Sequence, residues 1–526
     1  MAGVPGSRDH KRRVRLAASW VLAPILAVMG LAAGSTPDTL TAPISGYWPV
    51  HLTSFLLGPY STVDNFGYES SSQISPIIPT SYTAWRSPTM LGIQFVGDAP
   101  RSLRTDQFSL SVTGPQGRIP GLKIQYSSTG FVGWKIPRLA PGIYHVTFFT
   151  PLFQRSQSSW TLHVVHPQKP IVAVRETASD HISLETLNAY RALLQESPVV
   201  WSSALADAAA AHAQYVKTNG YSAPSFHMEA SGRPGFSGIT PWARDLRFGW
   251  QSVLDGEVGI ESSGLLPPVS VVQDLIDTVF HRLSLLSGNL IASGEGSSTG
   301  NTGAVVMDLG YGYNPKLPLG IAYPRPGQNG IPVSWIDLES PDPVPDGFGH
   351  RYGYPITLDF PTAESVKAMK FGLFLGKRAV PVYQDRPGIN SLSDNQMGMV
   401  PKHPLFPNTV YTVSAQGRVL FNNGVTKPIN LHWSFQTGGG SESLAAAPVS
   451  PHQVVISVVR AGAGNPVINT QVRLYRVGAS GRLWLQTTGF TDPQGVWVAT
   501  RTTSQRALYQ VTSSTDNSQQ FWWGNS

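Results

Sequence analysis

Three places in the middle of the chain carry side chains that can bind a metal or a ligand. His227 stands close to Glu229 in a polar stretch, Glu257 follows a glycine, and His281 precedes Arg282 in "DTVFHRLSLL". Neutral imidazoles and carboxylates are ligands that Zn²⁺ accepts, and three protein ligands leave one position for water. The same arrangement can activate that water for hydrolysis. These residue types therefore make metal or ligand binding the first hypothesis.

The helix predicted around His281 has one apolar stripe. Its apolar residues recur at helical spacing at Val272, Ile276, Val279, Leu283 and Leu286. Each residue turns a helix by about 100°, so His281 points away from this stripe, on the side of Asp274 and Ser284. Asp277 precedes His281 by four residues, a spacing that supports a charge pair. Spacing alone therefore favours a solvated polar face over a binding cleft.

Other catalytic patterns are weak. The chain has no H-E-x-x-H sequence, and "GSSTG" at 296–300 lies in a Ser/Gly-rich loop without the following helix that a nucleophile elbow needs. His212 falls on the apolar stripe of its own helix, which predicts a packed structural histidine.

Composition sets the broad class of the protein. Only 13% of the 526 residues are charged and 41% are hydrophobic, which is enough for several cores in about three or four domains. Cysteine is absent, which excludes disulfides, thiolate metal ligands and a cysteine nucleophile. The net charge of +7 owes much to the basic residues of the first 15 positions. No long Lys/Arg run follows, so the sequence indicates no nucleic-acid partner.

The N-terminus predicts export. A basic start precedes "LAASWVLAPILAVMGLAA" at 16–33, which contains no charge and ends in small residues. The run is also long enough for an uncleaved membrane anchor. Residues 1–34 are therefore predicted to be a signal peptide or a membrane anchor, with the remainder extracellular or at the cell surface. Residues 35–80, rich in Ser, Thr, Pro and Gly, predict a linker.

Three stretches show short β-rich runs between Pro and Gly turns, which is typical of β-sandwiches. They cover residues 81–166, 318–437 and 450–526. The first resembles bacterial immunoglobulin-like modules at "LAPGIYHV", and the last resembles carboxypeptidase-regulatory or transthyretin-like repeats around "TDPQG". Between the last two, "GGGSESLAAAP" predicts a flexible linker at 438–449.

Residues 175–314 combine helical and strand patterns, which predicts a mixed α/β domain. Short motifs follow one another in this region: Leu187-Asn188 with Arg191, His212-Ala213, His227, Gly249-Trp250, Gly256-Glu257 and His281-Arg282. This succession resembles the CAP superfamily, the SCP-like extracellular domain, and its bacterial branch in particular.

The resemblance implies an α-β-α sandwich with a central cleft that two histidines and one or two glutamates line. Carried over residue by residue, it implies His227, Glu257 and His281 as ligands of Zn²⁺ or another divalent cation, in one solvent-accessible cavity. Glu229, Glu261 and Arg282 are expected to line the same cleft. Glu261 is the alternative to Glu257 if the intervening loop aligns differently. The whole chain is expected to be multidomain, with this CAP-like domain between all-β immunoglobulin-like sandwiches.

The family has no generally accepted enzymatic activity, and many members bind lipids, sterols or partner proteins. The resemblance thus implies a non-catalytic secreted or surface-tethered bacterial protein whose cleft binds a lipid, a cell-wall component or a protein. Two alternatives stay open. One is a metal-assisted hydrolase acting on cell-wall or peptide substrates, and the other is an adhesion scaffold with an inert CAP domain.

Overall fold

The computed structural model describes residues 15–21, 50–57, 81–84, 90–97, 108–128, 131–149, 157–164, 175–221, 226–230, 232–248, 250, 255–264, 266–311, 317–345, 347–385, 392–421 and 425–525. Strands predominate over helices in these residues. The predicted export segment at 1–34 is described only at 15–21, where a strand forms. Its remaining residues lie outside the described part of the chain.

The N-terminal β region contains two sheets. The first strands of the chain are β1 (Arg15–Val21), β2 (Val50–Leu57), β3 (Ser81–Ala84), β4 (Met90–Gly97), β5 (Ser109–Gly114), β6 (Gly117–Arg118), β7 (Ile124–Ser128), β8 (Phe131–Lys135), β9 (Gly142–Phe149) and β10 (Gln157–Val164). One sheet has the order β2-β4-β8-β7 and the other β3-β10-β9-β5-β6. The rings of Trp134 and Phe148 meet edge to face across the two sheets.

One part of the expected linker at 35–80 is a strand instead. Residues Val50–Leu57 pair antiparallel with β4, from Val50 opposite Gly97 to Leu57 opposite Met90. The sequence "VHLTSFLL" is rich in apolar residues, which favours a pleated, half-buried strand over a solvated linker. The rest of 35–80 lies outside the described residues.

The central region places helices around one sheet. Its elements are α1 (Ala178–Leu193), β11 (Val200–Trp201), α2 (Ser203–Asn219), α3 (Pro241–Phe248), β12 (Asp255–Glu261), α4 (Pro268–Ile276), α5 (Phe280–Leu285), β13 (Leu290–Ser297) and β14 (Ala304–Tyr311). Local signals fix the helix ends. Thr177 and Asp180 form a capping box at the start of α1, and Ser202 caps α2, which ends at Gly220 with φ +82°.

Helices pack on both faces of this sheet because β14 alternates its side chains. Val305 and Met307 join the core that includes α4 and α5, whereas Ala304 and Val306 pack with α2. Gly294 of β13 allows α2 to approach closely, since an added Cβ would lie 2.0 Å from the backbone nitrogen of Ala206.

The helix predicted through residues 272–286 is two helices. It breaks between α4 and α5, and the expectation of a solvated polar face is wrong: Asp274, Asp277, His281 and Ser284 are all buried. The face opposite the apolar stripe is covered by later parts of the chain. The phenol of Tyr354 and the hydroxyl of Ser443 donate to Asp277 at 2.7 and 2.9 Å. Asp277 therefore serves these contacts rather than a pair with His281.

Residues 317–437 form the next β region. Its strands are β15 (Ile321–Tyr323), β16 (Trp335–Ile336), β17 (Glu339–Ser340), β18 (Arg351–Tyr352), β19 (Ile356–Asp359), β20 (Ala363–Leu375), β21 (Arg378–Ala379), β22 (Val382–Asp385), β23 (Gln396–Pro401), β24 (Val410–Phe421) and β25 (Thr426–Gln436). Two four-stranded sheets, β15-β19-β23-β22 and β21-β20-β24-β25, contribute to the same hydrophobic core as α4 and α5. One strand leaves this region: β17 joins the central sheet, whose order is β11-β13-β14-β12-β1-β17.

The C-terminal region begins earlier than expected. Its strands are β26 (Glu442–Ser450), β27 (Gln453–Arg460), β28 (Gln471–Val477), β29 (Leu483–Phe490), β30 (Val496–Thr500), β31 (Ala507–Ser513) and β32 (Ser518–Trp523). The predicted flexible linker at 438–449 is wrong over β26, which pairs with β27 and buries Leu444 and Ala447. Its small apolar residues fit against α1, where Ala189 belongs to the core of this region and the phenol of Tyr190 donates to the carbonyl of Leu444 at 3.2 Å.

In the described part of the chain, no helix combines the length and the apolar character needed to cross a membrane.

Candidate functional site

His227 and Glu257 form a buried pair on one face of the central sheet. Glu257 is the third residue of β12, and Nδ1 of His227 lies 2.7 Å from its Oε1. The side chain of His227 is 2% exposed and that of Glu257 is fully buried. Val258 belongs to the core on the opposite face, so strand alternation directs Glu257 toward the side of α2 and α3.

His212 of α2 joins this pair. Its Nε2 donates a hydrogen bond to the carbonyl of Phe226 at 2.7 Å and lies 3.6 Å from Oε1 of Glu257. Its Nδ1 lies 3.0 Å from Glu229. The sequence predicted a packed structural histidine, and the side chain is indeed fully buried. Its polar contacts nevertheless make it part of the charged cluster.

Glu229 holds the loop after His227 to α2. Its carboxylate accepts hydrogen bonds from the backbone N–H groups of Ser237 and Gly238 at 2.5 and 3.2 Å, and from the hydroxyl of Ser237 at 2.9 Å. Burial alone would raise the pKa of Glu229, but the hydrogen bond with His212 and the charge of Arg244 outweigh burial and lower it. Glu229 is therefore an ionised anchor of the loop.

Arg244 of α3 supplies the cation of the cluster. Its guanidinium forms a short contact with Oε2 of Glu257 and donates to the carbonyl of His227 at 3.2 Å. Burial opposes the charge of Glu257, but Arg244, His212 and His227 together hold the pKa of that carboxyl well below its usual range. Glu257 is thus a carboxylate with both oxygens in contact.

His281 has a different carboxylate partner from the one expected. Its Nδ1 lies 2.9 Å from Oε1 of Glu339 in β17, and 2.9 Å from the hydroxyl of Thr278, which itself donates to the carbonyl of Leu275. The same carboxylate accepts the backbone N–H groups of Val279 and Phe280 at 2.8 and 2.7 Å. Glu339 therefore anchors the start of α5 and lies beside the imidazole of His281, whose Nδ1 is hydrogen-bonded to Thr278.

The two His–Glu pairs, His227 with Glu257 and His281 with Glu339, interact electrostatically. Burial lowers the pKa of His227 to about 4 against the opposing effect of Glu257, and the charges of His212 and His281 contribute to this lowering. The structure thus brings His281 within electrostatic range of His227. Both imidazoles are buried, so the pairs do not line the solvent-accessible cavity that was expected.

Two of the expected cleft residues lie elsewhere. Glu261, at the end of β12, is half-buried opposite Ala304, and its charge acts on Tyr221 rather than on either histidine pair. Arg282 donates to the carbonyl of Ile276 at 2.6 Å, which caps the end of α4, and its guanidinium lies 4.7 Å from the ring centre of Tyr323. Of the two glutamates considered, Glu257 is the one that meets His227.

Three further acids beside the cluster were missed. Burial raises the pKa values of Asp245, Asp255 and Asp308 well above their usual range. Asp308 is the strand partner of Glu257 and stands alone among apolar residues of β14. A single acidic residue in an otherwise apolar strand is a sequence signal from which a buried polar cluster could have been predicted. Glu339 has no such signal, because it follows the CAP-like motifs at a distance and lies in another module.

The residues fit a divalent metal at the two imidazoles better than at Glu257. Each histidine turns Nδ1 to a carboxylate, which is how metal-binding histidines are commonly oriented, so Nε2 would be the metal-binding atom. Nε2 of His281 is buried and makes no hydrogen bond with any described residue. Glu257 fits poorly as a direct ligand because both of its oxygens are engaged. Within the described ranges, no group of three or more His, Asp or Glu side chains is arranged to hold a metal ion.

Comparison with known proteins gives one family. No curated protein matches the chain. Among solved structures, CopC from Methylosinus trichosporium OB3b is 18% identical over 22% of this chain and 97% of its own, with a TM-score of 0.14. Native alpha-2-macroglobulin from Escherichia coli, spanning domains MG0-NIE-MG1, is 12% identical over 32% of this chain and 66% of its own, with a TM-score of 0.13.

Solved structures this distant from the chain carry no weight for its fold or function.

The family model described as "Cysteine-rich secretory protein family", CAP, matches residues 184–309. These residues run from α1 to β14 and include His212, His227, Glu257 and His281. The chain therefore contains a CAP domain of the cysteine-rich secretory protein family, set among β-rich regions.

Proposed function

We propose that this is an exported or surface-tethered protein whose CAP domain binds a ligand, together with a divalent cation such as Zn²⁺, at the two His–Glu pairs. The observation that carries the proposal is that each Nδ1 lies close to a buried carboxylate, hydrogen-bonded to Glu257 at 2.7 Å in one pair and 2.9 Å from Glu339 in the other. The basic and apolar N-terminus supports export, as does the generally extracellular occurrence of CAP domains.

We also infer that residues 175–314 form the α-β-α sandwich implied by the resemblance. The support is the alternation of β14, which meets α2 on one face and α4 with α5 on the other. The β-rich regions around it would then be immunoglobulin-like spacers that present the domain at the cell surface.

The proposed role is binding rather than catalysis. A bound cation would supply a Lewis acid with an open position for a ligand. The chain's own residues hold the imidazoles in place: Glu257 is hydrogen-bonded to the ring of His227, and Thr278 to the ring of His281. Arg244 compensates the charge of Glu257, Glu339 lies beside His281, and Glu229 anchors the loop that carries His227. Every one of these groups is buried, so their positions are set by packing.

Zinc titration of the full chain by calorimetry tests the proposal. The isolated segment 175–314 is not suitable, because Glu339 lies outside it. We expect wild type to bind one Zn²⁺ and His227→Ala and His281→Ala each to bind at least about 10-fold more weakly. Glu257→Gln and Glu339→Gln should weaken binding by about 10-fold to 100-fold, as loss of an orienting carboxylate does.

Glu261→Gln is the matched control, since it changes a glutamate of the same strand that meets neither histidine. It should leave zinc affinity unchanged. Equal affinity in wild type, His227→Ala and His281→Ala would overturn the metal site. Zinc-dependent turnover of cell-wall or peptide substrates that disappears in both histidine variants would instead show a hydrolase.

A further inference from the structure

The central sheet contains a position that is filled by the N-terminal segment. Strand β1 pairs antiparallel with β12, from Arg15 opposite Glu261 to Val21 opposite Gly256, and parallel with β17, at Leu16 opposite Glu339 and Ala17 opposite Ser340. Neighbouring strands lie about 4.8 Å apart, so β12 and β17 are separated by a gap one strand wide. We call this gap the strand slot.

The β12 border of the strand slot needs a strand partner. Residues Asp255–Ile260 of β12 are buried, and β14 pairs with only one edge of β12. The free edge of a buried strand leaves N–H and C=O groups without partners, and each such group costs free energy. An extended backbone satisfies both edges at once, which a lipid or a sugar does not do.

The strand slot runs between the two His–Glu pairs. Glu257 stands on one border, opposite Trp20, and Glu339 stands on the other, opposite Leu16. Four residues of a strand span about 13 Å. A strand in the slot therefore runs past Glu257 on one border and Glu339 on the other.

The segment that fills the slot belongs to the sequence predicted to direct export. A chain that loses this segment, or holds it in a membrane, leaves β12 and β17 without their common partner. We propose that the strand slot is a peptide-binding site, which accepts an extended peptide by strand addition and is filled in this structure by the chain's own Arg15–Val21. The N-terminal segment then acts as an internal competitor for the peptide.

The proposal goes beyond the proposed function and does not depend on a metal. Main-chain hydrogen bonds to both borders would supply the affinity, as in other proteins that bind peptides by strand addition. A peptide so bound would lie beside both His–Glu pairs, which makes an extended polypeptide the ligand class of this edge of the CAP domain.

A disulfide trap tests where β1 lies. The chain has no cysteine, so an engineered pair is the only one present. Arg15→Cys with Glu261→Cys places two cysteines on opposed strand positions, where Cα atoms lie about 4.5–5.5 Å apart and a disulfide can form. Arg15→Cys with Gln453→Cys is the control. Oxidation should link the first pair and leave the second unlinked, and failure to link the first pair would overturn the assignment of β1 to the slot.

Peptide binding to the full chain tests the site itself. Ala17→Pro should expel β1, because a strand paired on both sides does not accept proline. Ala33→Pro, outside β1, is the matched control. The probe is a fluorescein-labelled peptide RLAASWV, the sequence of residues 15–21, measured by anisotropy with EDTA present so that metal takes no part. The Ala17→Pro chain should bind it at least about 10-fold more tightly than wild type or Ala33→Pro, since the internal competitor is gone.

A second peptide with proline at its third position should not bind. Equal binding of both peptides, or equal binding of RLAASWV to all three chains, would overturn the slot. Circular dichroism of the Ala17→Pro chain shows whether it is folded; if it is not, the oxidised and reduced forms of Arg15→Cys with Glu261→Cys replace it, and only the reduced form should bind. None of these peptide-binding measurements uses zinc. A failed zinc titration would therefore leave their outcome unchanged.

Discussion

His281 and Glu339 meet across the boundary between the CAP domain and the β region that follows it. The imidazole and the carboxylate are 2.9 Å apart although 58 positions separate them in the sequence. The carboxylate also accepts N–H groups at the start of α5. The polar cluster of this CAP domain is therefore completed by a residue outside the family-matched segment, and we expect the stability of the two regions to be linked.

Replacement of Glu339 tests that dependence. Glu339→Ala leaves the N–H groups of Val279 and Phe280 buried without their acceptor. We expect the free energy of unfolding to fall by about 2–4 kcal/mol in chemical denaturation. Glu176→Ala, which removes an exposed carboxylate paired with His181, should change it by less than about 0.5 kcal/mol. Similar losses in both variants would show that Glu339 anchors nothing.

The raised pKa of Asp277 predicts that the free energy of unfolding depends on pH. Burial raises its pKa from 3.8 to about 6, against the lowering effects of Tyr354, Arg282 and Ser443. Because the folded pKa lies above the unfolded one, the stabilising contribution is complete below about pH 4 and is lost as pH rises through 6. Asp277→Asn keeps an acceptor for Tyr354. The variant should remove about 3 kcal/mol from the loss of unfolding free energy that wild type shows as the pH rises.

The measurement is the unfolding free energy at several pH values between 4 and 7, compared with wild type. Asp394→Asn changes an exposed carboxylate and should leave the wild-type profile in place. If Asp277→Asn and wild type keep parallel profiles, the carboxyl of Asp277 does not titrate in this range.

Close packing of α2 on the sheet predicts a cost for any side chain at Gly294. Gly294→Ala puts a methyl group 2.0 Å from the backbone nitrogen of Ala206, so the helix must move. Thermal and denaturant unfolding should show a loss of at least about 2 kcal/mol. Ser297→Ala, at the exposed end of the same strand, should be nearly neutral. A neutral Gly294→Ala would mean that α2 lies farther from β13.

Limited proteolysis distinguishes a buried β26 from a flexible linker. Elastase should not cut within Glu442–Ser450, because these residues are paired and largely buried. The exposed turn near Ala479 offers the same enzyme a small residue and should be nicked first. Early release of a fragment beginning near residue 450 would contradict the structure.

The sequence predicted the parts of the site that lie within local motifs. His227 and Glu257 could be named because each stands in a short motif of the CAP domain, and the family match covers both. Arg244 and Asp308 were within reach too, since a charged residue in an apolar element must have a buried partner. The metal ligands that the resemblance implies are histidines and a glutamate, so it does not point to these two residues.

The remainder could not be predicted from local spacing. Periodicity identified one face of the helix that carries His281 but took the other for a solvated face, because the regions that cover it are folded from residues far along the chain. The prediction of a flexible linker at 438–449 was wrong for a related reason. Small apolar residues such as Ala445 and Ala447 suit a flexible segment and a buried strand equally well. Only α1, against which β26 packs, decides between them.

The contact between β26 and α1 has a mechanical consequence. With Ala189 in the core of the C-terminal region and Tyr190 bonded to Leu444, no slack spacer separates that region from the CAP domain. A pulling force on the C-terminal region thus reaches α1 directly and, through α1, the sheet that bears the two His–Glu pairs. For a protein held at one end and loaded at the other, the binding site itself would lie in the path of the tension.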